Sequence, residues 1–597
     1  VNTNEHLQKI AEEVASMLSK HNENISLNSK LFLKIKTVYN NRNAEKLNTE
    51  QLRLLEKYYK ECIRNGVDLN PKDQNRLQEI NKQLAILYSK FSNNILEETN
   101  KNMLIIDKQE DLAGLPESVM NMGAEDAKRM NMNDKWVFTT SKSSMVPFLT
   151  YAKKRSLREK IYKAYLSRGN NNNEFDNKKI ISQILTLRLE RSNLLGYKTY
   201  ADYALEPTMA RKAENVMALL KKLWDPALKA ALLEEKRLQT FSEKEGDKIK
   251  IESWDWWYYA EKIRNEQYCI NLKEFDPYFK LDHIFHGLFA ITEKLFDLEF
   301  VEKKDIPLYH QDVKLYEVWD EKTLLGIIMF DLYSRPEKRN GSWCNSYRTA
   351  HYEEGKRIIP IVSINCNINK PTGDNLSLLS INEVETLFYE FGHAIYAMVS
   401  NCQYEKSTSY PNDFNEFPSM FFKNYALQPN ILRMYARHYS TATLIYPELI
   451  DKLKKSRQFN QGFETVGYLA SAILDMKYHM LTNLKDLDVN EFENKTLTDL
   501  HLISSIAPQY RSAYFLDIFS GEESAAGYYR YIWSDMLCKD AFEAFAEKGN
   551  IIDATIAKSF RKNILEKGNS EDLQLMYKNF RGRESTISPL IKERGLE

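Results

Sequence analysis

The sequence contains little of what marks loop-rich, disulfide-bonded or all-β proteins. Of its 597 residues only 20 are glycine, 16 are proline and 6 are cysteine. The cysteines lie far apart and form no Cys-x-x-Cys pair, which argues against a disulfide framework and against a thiolate metal site. With 43% hydrophobic and 28% charged residues, the chain can instead bury a sizeable core. These proportions predict a large globular protein.

The sequence also has no excess of either charge sign, because Lys plus Arg and Asp plus Glu number 83 each. Without a basic block, attraction to nucleic acid or to anionic membranes has no evident source, so neither is expected as a partner. The longest apolar runs, such as residues 358–364, fall far short of the roughly 20 residues that span a bilayer. We therefore expect a soluble protein without membrane insertion. Its compartment, cytoplasmic or periplasmic, and its oligomeric state stay open.

Helical periodicity dominates the first 300 residues. Asn70 and Pro71 form a typical helix start, and apolar residues then recur every three or four positions from Leu77 to Ile95. Between about 312 and 367 short β-rich runs predict a small sheet, after which the helical pattern returns. The pattern indicates a mainly α fold, with a mostly helical lobe over 1–300 and a second region over 301–597 that contains the small sheet.

A helix predicted from about 380 to 400 carries Tyr389, Glu390 and His393 one after another along about one turn. The spacing is that of a His-Glu-x-x-His helix, in which two imidazoles hold Zn²⁺ and the glutamate takes a proton from the bound water. Tyr389 stands where the first imidazole would be. By itself, a Glu-x-x-His on an apolar helix is a weak signal, and a buried histidine with satisfied hydrogen bonds explains it more simply.

Seven short stretches in and around this helix are distinctive. In their order along the chain they are 335–343, 369–374, 383–388, 413–419, 459–462, 508–512 and 527–533. In sequence and order they resemble the family of zinc peptidases that contains thimet oligopeptidase, oligopeptidase A and, most closely, the peptidyl-dipeptidases. The resemblance extends over essentially the whole chain. It implies a two-lobed helical shell around a deep central channel, with the small sheet near the active-site helix. Such a channel admits short unstructured peptides and excludes folded proteins.

The resemblance also implies roles for individual residues. Carried over position by position, it assigns Glu390 as the water-activating base and His393 and Glu416 as zinc ligands, with Tyr389 replacing the first histidine ligand. Tyr528 and Tyr531 fall at substrate-contacting positions.

The family's second catalytic element, a histidine followed by a Gly-rich turn and tyrosines, is altered as well. Asp517 stands where the histidine is expected, Glu522 and Glu523 stand where Gly-Tyr is expected, and no histidine follows His501. A carboxylate at 517 would repel a developing oxyanion instead of stabilising it, and the extra glutamates would add to that repulsion.

Three functions are compatible with these substitutions. The favoured hypothesis is a catalytically impaired or inactive homologue, a pseudoenzyme that binds short peptides or a partner protein. One alternative is an active zinc peptidase that releases dipeptides, with Tyr389 as a third ligand beside His393 and Glu416. The other is a non-peptidase chemistry that uses carboxylates of the channel. Zinc is the cofactor that the resemblance implies, and the lost imidazole argues against its binding.

Overall fold

The computed structural model describes residues 2–268, 271–371 and 376–597. As predicted, the fold is mainly α, and strands are confined to small sheets. No helix within the described ranges is both long enough and apolar enough to cross a membrane. Cys269 and positions 372–374 of the predicted family stretch 369–374 lie outside the described residues.

The α-helices of the described residues are numbered in chain order. They are α1 (Glu5–Ser26), α2 (Ser29–Asn40), α3 (Thr49–Arg64), α4 (Pro71–Lys101), α5 (Glu117–Arg129), α6 (Lys142–Tyr151), α7 (Arg155–Leu166), α8 (Lys178–Leu194), α9 (Tyr200–Leu205), α10 (Ala213–Lys244), α11 (Trp256–Tyr268), α12 (Leu281–Phe296), α13 (Ile381–Val399), α14 (Asn412–Asn415), α15 (Phe417–Lys423), α16 (Pro429–Tyr435), α17 (Pro447–Arg457), α18 (Gln461–His479), α19 (Val489–Asp499), α20 (Leu516–Phe519), α21 (Arg530–Glu547), α22 (Ala554–Phe560), α23 (Leu573–Arg581) and α24 (Ser588–Glu593). The predicted start at Pro71 is confirmed as the start of α4.

The strands are numbered in the same way. They are β1 (Leu104–Ile106), β2 (Trp136–Phe138), β3 (Leu298–Lys303), β4 (Lys314–Asp320), β5 (Thr323–Tyr333), β6 (Trp343–Arg348), β7 (His351–Glu353), β8 (Lys356–Ile358) and β9 (Ile361–Ile368).

The chain divides into two compact units. The first unit comprises residues 1–70, 271–451 and 530–590, and the second comprises 71–270, 452–529 and 591–597. Each unit therefore combines segments from both sides of residue 300, because contacts between distant segments hold it together. The predicted division into 1–300 and 301–597 follows the change of residue pattern along the chain. It differs from the division into these two compact units, and it stays a prediction.

A five-stranded sheet in the first unit has the order β3-β4-β5-β9-β6. Only β5 and β9 run parallel, and the other neighbours are antiparallel. The predicted sheet between about 312 and 367 is confirmed by β4, β5 and β9. Helix α13 packs closely on this sheet, since a Cβ added at Gly326 in β5 would lie 2.6 Å from the sulfur of Met398. The sheet thereby fixes the position of the helix that carries Glu390.

A buried ion cluster fixes the chain where β5 leaves the sheet. The Asp331 carboxylate accepts hydrogen bonds from Arg335 Nη1 at 2.7 Å, Lys338 Nζ at 3.0 Å and Tyr309 Oη at 2.9 Å. The side chains of Asp331 and Lys338 are both fully buried. Burial alone would raise the pKa of Asp331, but these hydrogen bonds outweigh it and hold the pKa below the usual value. The cluster anchors the first family stretch, 335–343.

Candidate active site

Helix α13 forms as the sequence predicts. The Ser380 hydroxyl accepts from the Glu383 backbone N–H, and the Glu383 carboxylate accepts from the Ser380 backbone N–H, which together form a capping box at the start of the helix. The apolar face that follows is buried. The helix therefore presents Tyr389, Glu390 and His393 from a fixed position in the first unit.

Gly392 allows α13 and α15 to approach each other. A Cβ added at Gly392 would lie 2.7 Å from the Cα of Ser419, closer than real contacts allow, so only glycine fits there. Because Glu416 directly precedes α15, this close approach brings its carboxylate to the face of α13 that carries His393.

The predicted zinc ligands His393 and Glu416 do lie together. The distance from His393 Nε2 to Glu416 Oε2 is 3.5 Å. The hydroxyl of Tyr389 donates a hydrogen bond to the same carboxylate oxygen, and the Tyr389 and His393 rings meet edge to face with centroids 5.2 Å apart. The tyrosine thus takes the place beside Glu416 that the resemblance gives to an imidazole.

The protonation states follow from burial and from this contact. Burial, then the charge and hydrogen bond of Glu416, raise the pKa of Tyr389 well above its usual value, so the phenol keeps its proton. Burial alone would raise the pKa of Glu416, but His393, Tyr389 and Arg530 outweigh it and keep Glu416 ionised. Burial raises the pKa of Glu390 to about 7, against the attraction of His393 and with the help of Glu416.

Two neighbours of the site were not predicted from the sequence. Arg530 stabilises the charge of Glu416, and its Nη2 also donates to the Tyr531 hydroxyl at 3.0 Å. The backbone N–H of Cys344, at the start of β6, donates to Glu390. Arg530 lies within the stretch 527–533 on which the resemblance rests, and Cys344 directly follows the stretch 335–343. These positions were the signal that the sequence offered.

The described residues supply a part of the zinc site that peptidases use. Such a site takes three protein ligands and a water. Here His393 and Glu416 supply two, and the first histidine position holds Tyr389, whose phenol keeps its proton and donates it to Glu416. Within the described ranges, no three His, Cys, Asp or Glu side chains converge in a metal-binding group.

The second unit holds the positions of the altered second element. Asp517 lies in α20, half-buried, and acts electrostatically on the Lys142 ammonium. Glu522 pairs with Arg191 through two bonds, Nη1 to Oε1 at 2.5 Å and Nη2 to Oε2 at 2.9 Å, while Glu523 is exposed. Arg191 therefore balances the charge of Glu522, and the effect of Asp517, Glu522 and Glu523 on an oxyanion stays a prediction.

The two predicted substrate-contacting tyrosines belong to different units. Tyr528, in the second unit, is buried against Tyr468 and Phe515, and the Tyr468 hydroxyl donates to the Tyr528 carbonyl. Tyr531, in the first unit, is half-buried beside Arg530. Their contact with a substrate stays a prediction.

The order of the stretches and the capped helix agree with a comparison with known families, in which residues 148–596 match the model of peptidase family M3. This chain belongs to peptidase family M3. The M3 chain is 32% identical over its full length to the dipeptidyl carboxypeptidase of Escherichia coli strain K12, 88% of which is covered. It is also 32% identical to oligopeptidase A of Haemophilus influenzae, with 92% of this chain and 81% of the relative covered.

Two solved structures share the fold of this M3 protein. PZ peptidase A with inhibitor 2 has a TM-score of 0.54 at 13% identity, covering 100% of this chain and 88% of that one. The carboxypeptidase of Pyrococcus furiosus has a TM-score of 0.52 at 11% identity, covering 100% of this chain and 93% of that one. At these identities the likeness concerns the fold alone.

Proposed function

We propose that this M3 family member binds short peptides without hydrolysing them. The observation that carries the proposal is the hydrogen bond from Tyr389 to Glu416. The bond comes from the side chain that replaces the first histidine ligand, and it helps to keep the proton on the phenol, so that side chain offers a metal ion neither an imidazole nor a phenolate. Without a bound metal, Glu390 has no activated water from which to take a proton.

The loss at position 517 supports the same conclusion through a separate step. Removing one oxyanion donor costs on the order of 10²–10³ in rate, and Asp517 replaces a donor with a negative charge. Because the groups of an active site act together, losses at both steps leave little catalytic activity for natural selection to maintain.

Short peptides are the proposed ligands because the relatives are named for acting on them: a dipeptidyl carboxypeptidase and an oligopeptidase. In this proposal Tyr528 and Tyr531 keep the peptide-contacting role that the family resemblance gives each of them. Within the first unit, the neutral Tyr389 and the ionised Glu416 form a polar surface that needs no ion.

The test combines cleavage and binding. Fluorogenic peptides of five to ten residues are incubated with the protein with and without added Zn²⁺, and Glu390→Gln serves as the control variant. We expect no cleavage and measurable binding of labelled peptides by fluorescence anisotropy. Zinc-dependent turnover that disappears in Glu390→Gln would show a working peptidase, and failure of every short peptide to bind would remove peptides as the ligand class.

A further inference from the structure

A loop of the second unit, residues 521–528, is held at both ends by side chains from the interior. At its start, Arg188 Nη2 donates to the carbonyl of Gly521 at 2.6 Å. At its end, the Asp475 carboxylate accepts from the backbone N–H of Ala526 at 2.9 Å and of Tyr528 at 3.0 Å. Arg188 and Asp475 are fully buried. The loop that carries Tyr528 therefore depends on two internal anchors.

One histidine joins these anchors to each other. His479 Nε2 lies 2.9 Å from Arg188 Nη1, and His479 Nδ1 lies 2.8 Å from Asp475 Oδ1. The ring is 2% exposed, so neither nitrogen has water as a substitute partner. Arg188, His479 and Asp475 form a continuous bridge beneath the loop.

The two hydrogen-bond partners of His479, Arg188 and Asp475, determine which of its ring nitrogens carries a proton. A guanidinium has donors only, so Nε2 must accept from Arg188 and carries no proton. Nδ1 then holds the single proton of a neutral ring and donates it to Asp475. The charges of Arg188 and Asp475 balance in this state, and burial lowers the pKa of His479, against the opposing effect of Asp475.

The other titratable groups around the bridge do not change this balance. The Tyr200 ring lies 4.9 Å from the imidazole, and the Tyr88 hydroxyl accepts from Arg188 Nε at 3.1 Å. Burial raises the pKa of both phenols, so they stay neutral through acid and neutral pH. Further out, Arg191 and Glu522 compensate each other. A proton added to His479 would thus place an uncompensated positive charge directly against Arg188.

The loop backbone is not in a conformation that it would keep unaided. Ala526 has φ = +53°, in the left-handed region that a residue with a Cβ adopts at a cost. Its N–H is one of the two that Asp475 holds. Asp475 thus holds the strained end of the loop, while Arg188, the partner of His479 Nε2, holds its start at Gly521.

We propose that His479 is a positioning residue for the peptide-binding loop: the neutral ring joins Arg188 to Asp475 and holds 521–528 in its binding shape, and protonation of Nε2 in acid drives Arg188 away from the ring, frees the loop at Gly521 and releases bound peptide. The peptide part rests on the proposed function, because Tyr528 is taken there as a peptide contact. The bridge itself does not depend on it.

Amide hydrogen exchange of the loop tests the bridge. The exchange of residues 521–528 is measured at pH 7.5 and pH 5.0 and corrected for the intrinsic rates at each pH. In the unmodified protein we expect at least a tenfold loss of protection at pH 5.0. His479→Gln, whose amide can accept from Arg188 but does not titrate, should show the same protection at both pH values. His21→Gln, an exposed histidine of α1 in the other unit, is the matched control and should behave as the unmodified protein.

Retained protection at pH 5.0 in the unmodified protein would overturn the proposal, and so would an equal loss in His479→Gln. If His479→Gln does not fold, slow exchange of the imidazole C2 hydrogen gives the titration midpoint of His479 in the unmodified protein. That midpoint must coincide with the loss of loop protection, and separate midpoints would refute the link.

Peptide affinity, measured by anisotropy at the same two pH values, should fall about tenfold or more in acid in the unmodified protein and stay constant in His479→Gln. A pH-independent affinity in the unmodified protein would refute the release step. If no peptide binds at any pH, the proposed function fails, while the exchange result still decides the role of His479.

Discussion

Replacing Tyr389 by histidine should convert the first unit into a zinc-binding protein. In the unmodified protein, a zinc ion that binds Glu416 through Oε2 competes with the hydrogen bond that Tyr389 donates to the same oxygen. Such a charge-assisted bond is worth about 1.5–3 kcal/mol. At 1.4 kcal/mol per tenfold, the competition lowers zinc affinity by roughly 10- to 150-fold.

Two variants separate this competition from the missing ligand. Tyr389→Phe removes the hydroxyl but adds no ligand, so its affinity should rise by at most the competition factor. Tyr389→His removes the hydroxyl and supplies an imidazole one helical turn from His393, on the face where Glu416 lies. A ligand should contribute at least as much as an outer partner of a ligand, which is worth about 10–100-fold. The affinities should increase from the unmodified protein to Tyr389→Phe to Tyr389→His.

Zinc affinity is measured by competition with a chromophoric chelator at pH 7.5, with stoichiometry from elemental analysis and folding of each variant checked by circular dichroism. A weaker affinity in Tyr389→Phe than in the unmodified protein would mean that the phenol itself binds zinc. Equal affinities in Tyr389→Phe and Tyr389→His would mean that position 389 does not reach the metal. Either result refutes the reasoning from the hydrogen bond.

Three further changes test other parts of the structure. Gly392→Ala should lower the free energy of unfolding by about 1–3 kcal/mol in urea titrations, because its Cβ would overlap the α15 backbone; an unchanged value would mean that the two helices can separate freely. Asp331→Asn should cost about 3–5 kcal/mol at pH 7 by leaving Lys338 buried without a counter-ion. Because the pKa of Asp331 in the folded protein lies below 3.8, the stability that its carboxylate contributes is present above pH 3.8 and is lost as the pH falls further. A stability difference between the two proteins that persists far below pH 3.8 would contradict this role of the ionised Asp331. Cleavage of fluorogenic peptides should stay undetectable in Tyr389→His alone and appear only when Asp517→His and a rebuilt Gly-Tyr turn are added; activity in the single variant would show that the second element is dispensable.

Local signals predicted the parts of this protein that local interactions determine. The capping box and apolar spacing of α13 are set within a few residues, so the helix and its boundaries follow from the sequence. The resemblance also placed Tyr389 and Glu416 at one site, and the structure shows the two side chains in contact. Strand β6 was missed: its sequence, Trp-Cys-Asn-Ser-Tyr-Arg, has no β-branched residue, and its conformation depends on pairing with β9.

Pairs that are distant in sequence could not be predicted. Arg188 and His479 are 291 residues apart, and Arg191 and Glu522 are 331 apart, so no periodicity connects them. The sequence therefore did not identify Arg191 as the partner of Glu522, although the two side chains form an ion pair in the structure. The tertiary structure determines which residue pairs with a buried charge, so a single sequence does not identify that partner.

The interleaving of the two units has a consequence for how the protein is made. The chain passes between the units after residues 70, 270, 451, 529 and 590. A nascent chain that ends at residue 529 still lacks segment 530–590 of the first unit, including α21, which packs against α15. Until that segment leaves the ribosome, the face of α15 that packs against α21 has no cover, and exposed apolar surfaces favour aggregation. Synthesis therefore passes through an interval in which the first unit is incomplete and exposes part of its core.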